Sequence, residues 1–125
     1  MKFEDIEEIG KRAEEGAWVS DLAHLNGVSL KVRAQMNSKH EALFTELWGK
    51  IPADKRDDPE TTEQIDNRCI KETILLDWKG IDDFPATPEN VDKALQVRTF
   101  KQAVVTASRI VATRGRDALE ADAGN

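Results

Sequence analysis

Phe3, Ile6, Ile9 and Ala13 recur at intervals of three or four, a spacing that predicts an amphipathic helix over residues 3–15. Glu and Asp crowd its first turns and Lys11 and Arg12 lie toward its end, as the helix dipole favours, and Gly16 stops it. With four apolar residues the helix is marginal alone and needs a surface to dock on. The period then changes. Val28, Leu30, Val32, Ala34 and Met36 alternate with Ser29, Lys31, Arg33 and Gln35, the mark of a half-buried strand. Asn26-Gly27 immediately before it predicts a type I′ turn and hence a β-hairpin over 17–36. Folding about that turn pairs Leu25 with Val28, Ala23 with Leu30 and Val19 with Ala34. It also sets Asp21 opposite Val32, so the first strand is bulged or ends early. Trp18 falls opposite Gln35 on the outward face, beside Leu22. Two strands alone are unstable in water, so the hairpin must pack on helices or borrow a neighbouring chain.

Ser38-Lys39-His40-Glu41 reads as a capping box, opening a helix with Leu43, Phe44, Leu47 and Trp48 on one face. It ends near Gly49, and Pro52 forbids continuation. After a polar loop over 52–58, Asp58-Pro59 supplies an N-cap and a first-turn proline. The helix that follows is predicted to run to about Lys79, with Ile65, Cys69, Ile70, Thr73, Leu76 and Trp78 as its apolar side and Gly80 as its C′ residue. Thr87-Pro88 opens a further helix with Val91, Ala94 and Leu95 inside. Beyond a break near Arg98-Thr99, Phe100, Ala103, Val104, Ala107, Ile110 and Val111 give the cleanest helical pattern in the chain. The expected fold class is α+β, predominantly α-helical: four to five helices with one N-terminal β-hairpin. Residues 1–113 form one domain, and 114–125 are expected to be a flexible, polar C-terminal tail.

Charge narrows the functional classes. The 125 residues carry 24 acidic and 18 basic side chains, a net charge of −6, with Lys and Arg spread along the chain beside Asp and Glu. Such a surface repels phosphate backbones, so nucleic acid is not an expected partner. The N-terminus lacks the apolar run of a signal peptide, and no stretch approaches the length of a membrane span. The lone Cys69 can form no intramolecular disulfide and fits a reducing compartment. A soluble, cytoplasmic protein is expected, with no membrane partner.

The inventory for chemistry is thin. His24 and His40 have no Cys or second His at ligand spacing, and Cys69 has no base on its own helical face. Ser20, Ser29, Ser38 and Ser108 stand in no nucleophile elbow, and the seven glycines form no phosphate loop. Asp77, Asp82 and Asp83 do not match a calcium loop, and Arg114-Gly115-Arg116 has acids close behind and no aromatic interleaving. No catalytic residue, cofactor or metal site is expected. The tryptophans are more informative: Trp48 and Trp78 read as core anchors, whereas Trp18 on the outward face reads as an interface anchor. The candidate protein interface is Trp18, Leu22, Lys31 and Arg33.

The order of segments carries a resemblance. Gly16-Ala17-Trp18-Val19 leads into Val28-Ser29-Leu30-Lys31-Val32-Arg33. A helix with Asn37 just ahead of it follows, then Glu72-Thr73-Ile74-Leu75-Leu76-Asp77-Trp78-Lys79-Gly80-Ile81, and a Thr-Pro-Glu start before the last helix. Over roughly residues 12–112 this resembles the tail assembly chaperones and minor tail components encoded by long-tailed bacteriophages and prophages. The resemblance implies a non-enzymatic protein of the bacterial host cytoplasm. Its implied role is to keep the long tape-measure protein soluble while tail-tube subunits polymerise around it. The implied partners are the tape-measure protein, the tail-tube protein and copies of the chain itself, as a homo-oligomer. Two other roles compete: a structural virion component such as a head–tail connector or tail-completion protein, and an acidic phage-encoded inhibitor of a host protein. Acids and bases alternate along the chain, which weakens the inhibitor reading.

Overall fold

The computed structural model describes the backbone of residues 1–123 and the side chains of residues 1–113. The expected C-terminal tail at 114–125 lies outside the residues whose side chains are described. The first amphipathic segment forms α1 (Phe3–Glu15), which packs along the last helix. Gly16 ends it with φ 94°, its N–H donating to Arg12 O at 2.8 Å. The chain turns at once into β1 (Ala17–Val19), which pairs antiparallel with β2 (Ser29–Val32).

A third strand, β3 (Leu75–Lys79), lies on the far side of β2 and makes it the central strand of a three-stranded antiparallel sheet. The long helix expected over 59–79 is therefore corrected. Regular helix stops after α3 (Pro59–Cys69), one π-helical turn covers Ile70–Ile74, and Leu75 enters the strand. The Thr73 hydroxyl donates to Cys69 O at 2.6 Å, competing with the backbone ladder where regular helix gives out. Thr73-Ile74-Leu75-Leu76 is rich in residues that fit a pleated surface, and β2 offers an open edge for them. The hairpin thus needs no neighbouring chain; its own chain completes the sheet.

The register of the hairpin is corrected as well. Val19 faces Leu30 and Trp18 faces Lys31, four residues from the expected pairing, and residues 20–28 form a long connection. Only Gly27 of the Asn26-Gly27 pair takes positive φ, at 77°, so no type I′ turn forms. Because side chains alternate with period two, a slip of four leaves every strand residue on its expected face. The rows Val19–Leu30–Trp78 and Ala17–Val32–Leu75 point inward, and Trp18–Lys31–Asp77 points outward. Leu76 is the extra residue on β3 where the register shifts beside Val32.

The last helices match their sequence pattern. Pro88–Leu95 forms α4, with Val91, Ala94 and Leu95 buried, and Arg98–Ala123 forms α5, with Phe100, Ala103, Val104, Ala107 and Val111 buried. Helix α5 packs on β1 and β2, and this contact is the centre of the core. Trp78 seals one end: its indole N–H donates to Phe84 O at 2.7 Å, with Phe100 edge-on at 5.3 Å. Helix α2 (Ser38–Gly49) starts where expected, but its N-cap is Asn37 and not Ser38, whose hydroxyl instead donates to Glu14 at 2.8 Å. Among the described residues, five α-helices and three strands make the fold α+β and predominantly helical. No described helix is long and apolar enough to cross a membrane.

Candidate protein-binding face

The outer face of the sheet is built by alternation. Leu30 and Val32 occupy the inward positions of β2, so Lys31 must point out, and Trp18 and Asp77 on the flanking strands stand in the same row. Trp18 remains 42% exposed, unusual for the largest side chain in a folded domain. The Lys79 ammonium sits 4.3 Å from its ring centroid, a cation–π contact that holds the indole against the sheet. Ser20 and Ser29 hydroxyls hydrogen-bond at 2.7 Å near the same margin. The face thus presents one aromatic plate, two ammonium groups and one carboxylate.

The four residues singled out from sequence are not all on this face. Trp18 and Lys31 share it, directly opposite each other. Arg33 follows β2 and anchors: its Nε donates to Glu14 O at 2.7 Å and its backbone N–H to Ile74 O at 2.9 Å, tying the end of α1 to the sheet. Leu22 is corrected. It is 5% exposed and belongs to the core, because Asp21 and His24 adopt φ of 59° and 67° and break the alternation that would have aimed it outward. Lys79 and Asp77 were missed, since a helix over 59–79 scatters them. The signal available was the apolar run 73–76, too dense for one side of an amphipathic helix.

A second exposed apolar strip lies on α2. His40, Phe44 and Trp48 stack along it with ring centroids 6.1 and 5.9 Å apart, and a groove of about 420 Å³ beside them is lined by Met36, His40, Glu41, Phe44 and Thr45. Trp48, expected in the core, is only half-buried, whereas Trp78 is fully inside.

Cys69 is completely buried, and burial, followed by the nearby Asp66 and Glu72 charges, pushes its thiol pKa up. The thiolate is the reactive form, so this is the wrong environment for a nucleophile. A thiol-specific reagent at pH 8 should leave Cys69 unlabelled in the folded protein and label it fully in denaturant; native labelling at a free-thiol rate would contradict this placement. The raised pKa also means that the stability contributed by the neutral thiol is present below the ordinary cysteine value and is lost as pH rises past it. Among the described residues, no three His, Cys, Asp or Glu side chains converge as a metal site. The chain matches no family model, no curated protein and no solved structure.

Proposed function

We propose that the protein is a non-enzymatic binding protein of bacteriophage tail assembly, a chaperone that engages the tape-measure protein and tail-tube subunits in the host cytoplasm. The observation that carries the binding function is Trp18. A tryptophan on an open sheet face, in contact with Lys79 and in one row with Lys31 and Asp77, can bury a large area at small entropic cost and orient a partner by charge. The tail-assembly setting is supported by the order of segments along the sequence. A net charge of −6 would keep such a chaperone soluble while it covers apolar stripes of its client.

Co-expression with the tape-measure and tail-tube proteins of the same phage, followed by pull-down, is expected to capture at least one of them. Capture of neither would contradict the proposal. Presence of the chain in purified virions would favour the structural-component reading over a chaperone that departs.

A further inference from the structure

Helix α1 has one face that none of the described side chains covers. Ala13 packs against the core and Ile9 is half-buried, but Phe3 is 71% and Ile6 52% exposed. Gly10 continues that face, and a Cβ placed there would meet nothing within 4 Å. A glycine inside a helix costs about 1 kcal/mol relative to alanine, and no contact among the described residues calls for one here. Exposed Glu4 and Glu7 flank Phe3 and Ile6. The result is a short helical face with an apolar centre, a shallow seat and an acidic border.

A surface of the opposite sign lies on the solvent side of α5. A groove of about 640 Å³ is lined there by Arg98, Lys101, Val105 and Arg109, with Glu63 its one acidic lining residue. Lys101 is bound to Asp66 at 2.9 Å, whereas Arg98 and Arg109 are exposed. Val105 in the floor is half-buried, and Val97 at the adjoining end is exposed. With Lys101 paired to Asp66, Arg98 and Arg109 outnumber Glu63 along this helix face, and in a protein of net charge −6 they make a local positive site with an apolar floor.

We propose that the Phe3–Ile6–Gly10 face of α1 docks into the α5 groove of a second copy of this chain. Phe3 and Ile6 cover Val97 and Val105, Gly10 lets the helices approach closely, and Glu4 and Glu7 meet Arg98 and Arg109. Two different patches are joined, so the contact is heterologous and propagates into rings or short chains rather than stopping at a twofold dimer. Half a helix in a groove falls short of the roughly 800 Å² per partner of a standard interface, so the association is weak and salt-sensitive. The contact uses neither Trp18 nor the outer sheet face, and it stands or falls separately from client binding.

Sedimentation velocity of the full chain over a concentration series tests it. The mean mass is expected to rise with concentration past that of a dimer at low salt. The apparent Kd should weaken roughly tenfold when salt is raised to about 0.5 M. Arg98→Glu with Arg109→Glu, or Glu4→Arg with Glu7→Arg, should each weaken association at least tenfold, and combining all four should restore it. Gly10→Ala separates folding from docking: it should raise the melting temperature yet weaken association. Circular dichroism verifies that each variant is folded. A monomer at all concentrations, association indifferent to charge reversal, or failure of the combined variant to recover would overturn the proposal.

Discussion

Replacing Asn37 with alanine is expected to lower the unfolding free energy by about 3 kcal/mol, measured by urea denaturation. The side chain is buried and serves three backbone groups. Its Nδ2 donates to Ala34 O at 2.8 Å and to Thr73 O at 3.0 Å, and its Oδ1 accepts the N–H of His40 at 3.0 Å. The last of these caps α2, a contact whose loss typically costs about 1 kcal/mol. Of the other two, Ala34 O loses one donor but keeps the backbone N–H of residue 37 at 3.2 Å, whereas Thr73 O loses its side-chain donor in a dry environment, at a cost on the order of 1 kcal/mol or more. Asn37 therefore joins the end of the hairpin, the start of α2 and the π-helical turn ahead of β3. Asn37→Asp separates these roles: it keeps the cap acceptor, forfeits both donors and buries a carboxylate, so it should be no more stable than alanine. A loss below about 1 kcal/mol for Asn37→Ala would show that α2 and β3 are not coupled through this side chain.

The second large effect is expected at Gly80, where alanine should also cost about 3 kcal/mol. Gly80 adopts φ 93°, and a Cβ there would collide with the carbonyl of Gly27, part of the backbone of the hairpin connection. Backbone cannot swing aside as a flexible side chain can, so the collision adds to a dihedral strain of about 1–2 kcal/mol. Gly27→Ala is the internal control. Its φ is also positive, at 77°, but a Cβ there meets nothing within 4 Å, so only the strain should register. Equal losses at the two positions would mean that the 27–28 connection does not press on the end of β3.

These two sites mark where the sequence was readable and where it was not. Helices α1, α2, α4 and α5 were legible because each carries a sustained three-four apolar pattern bounded by a cap or stop residue. Segment 70–79 was not, since Ile70, Thr73, Leu76 and Trp78 satisfy helical spacing while Ile74, Leu75 and Leu76 equally suit a strand. What decides between them is the unfilled edge of β2, a long-range fact absent from any local window. Asn26-Gly27 misled for a related reason: the turn formed at Gly27 without the local pairing it usually starts, because Leu22, Leu25 and Val28 gain more by packing against the core. The outward aim of Trp18 survived this error through the period of two. Leu22 did not, since alternation holds only inside a strand, and Lys79 and Asp77 could join Trp18 only once β3 was recognised.

The binding role proposed for the protein rests on Trp18, and a single comparison tests it. Wild-type protein and Trp18→Ala are co-expressed with the proposed partners, the tape-measure and tail-tube proteins, and capture is quantified beside the melting temperature of each variant. The expected result is at least a tenfold loss of capture with a fall in melting temperature of no more than about 4 °C, since an exposed cation–π contact stabilises by only about 0.5–1 kcal/mol. Undiminished capture by the alanine variant, or no capture by the wild type, would contradict the role assigned to the outer face of the sheet.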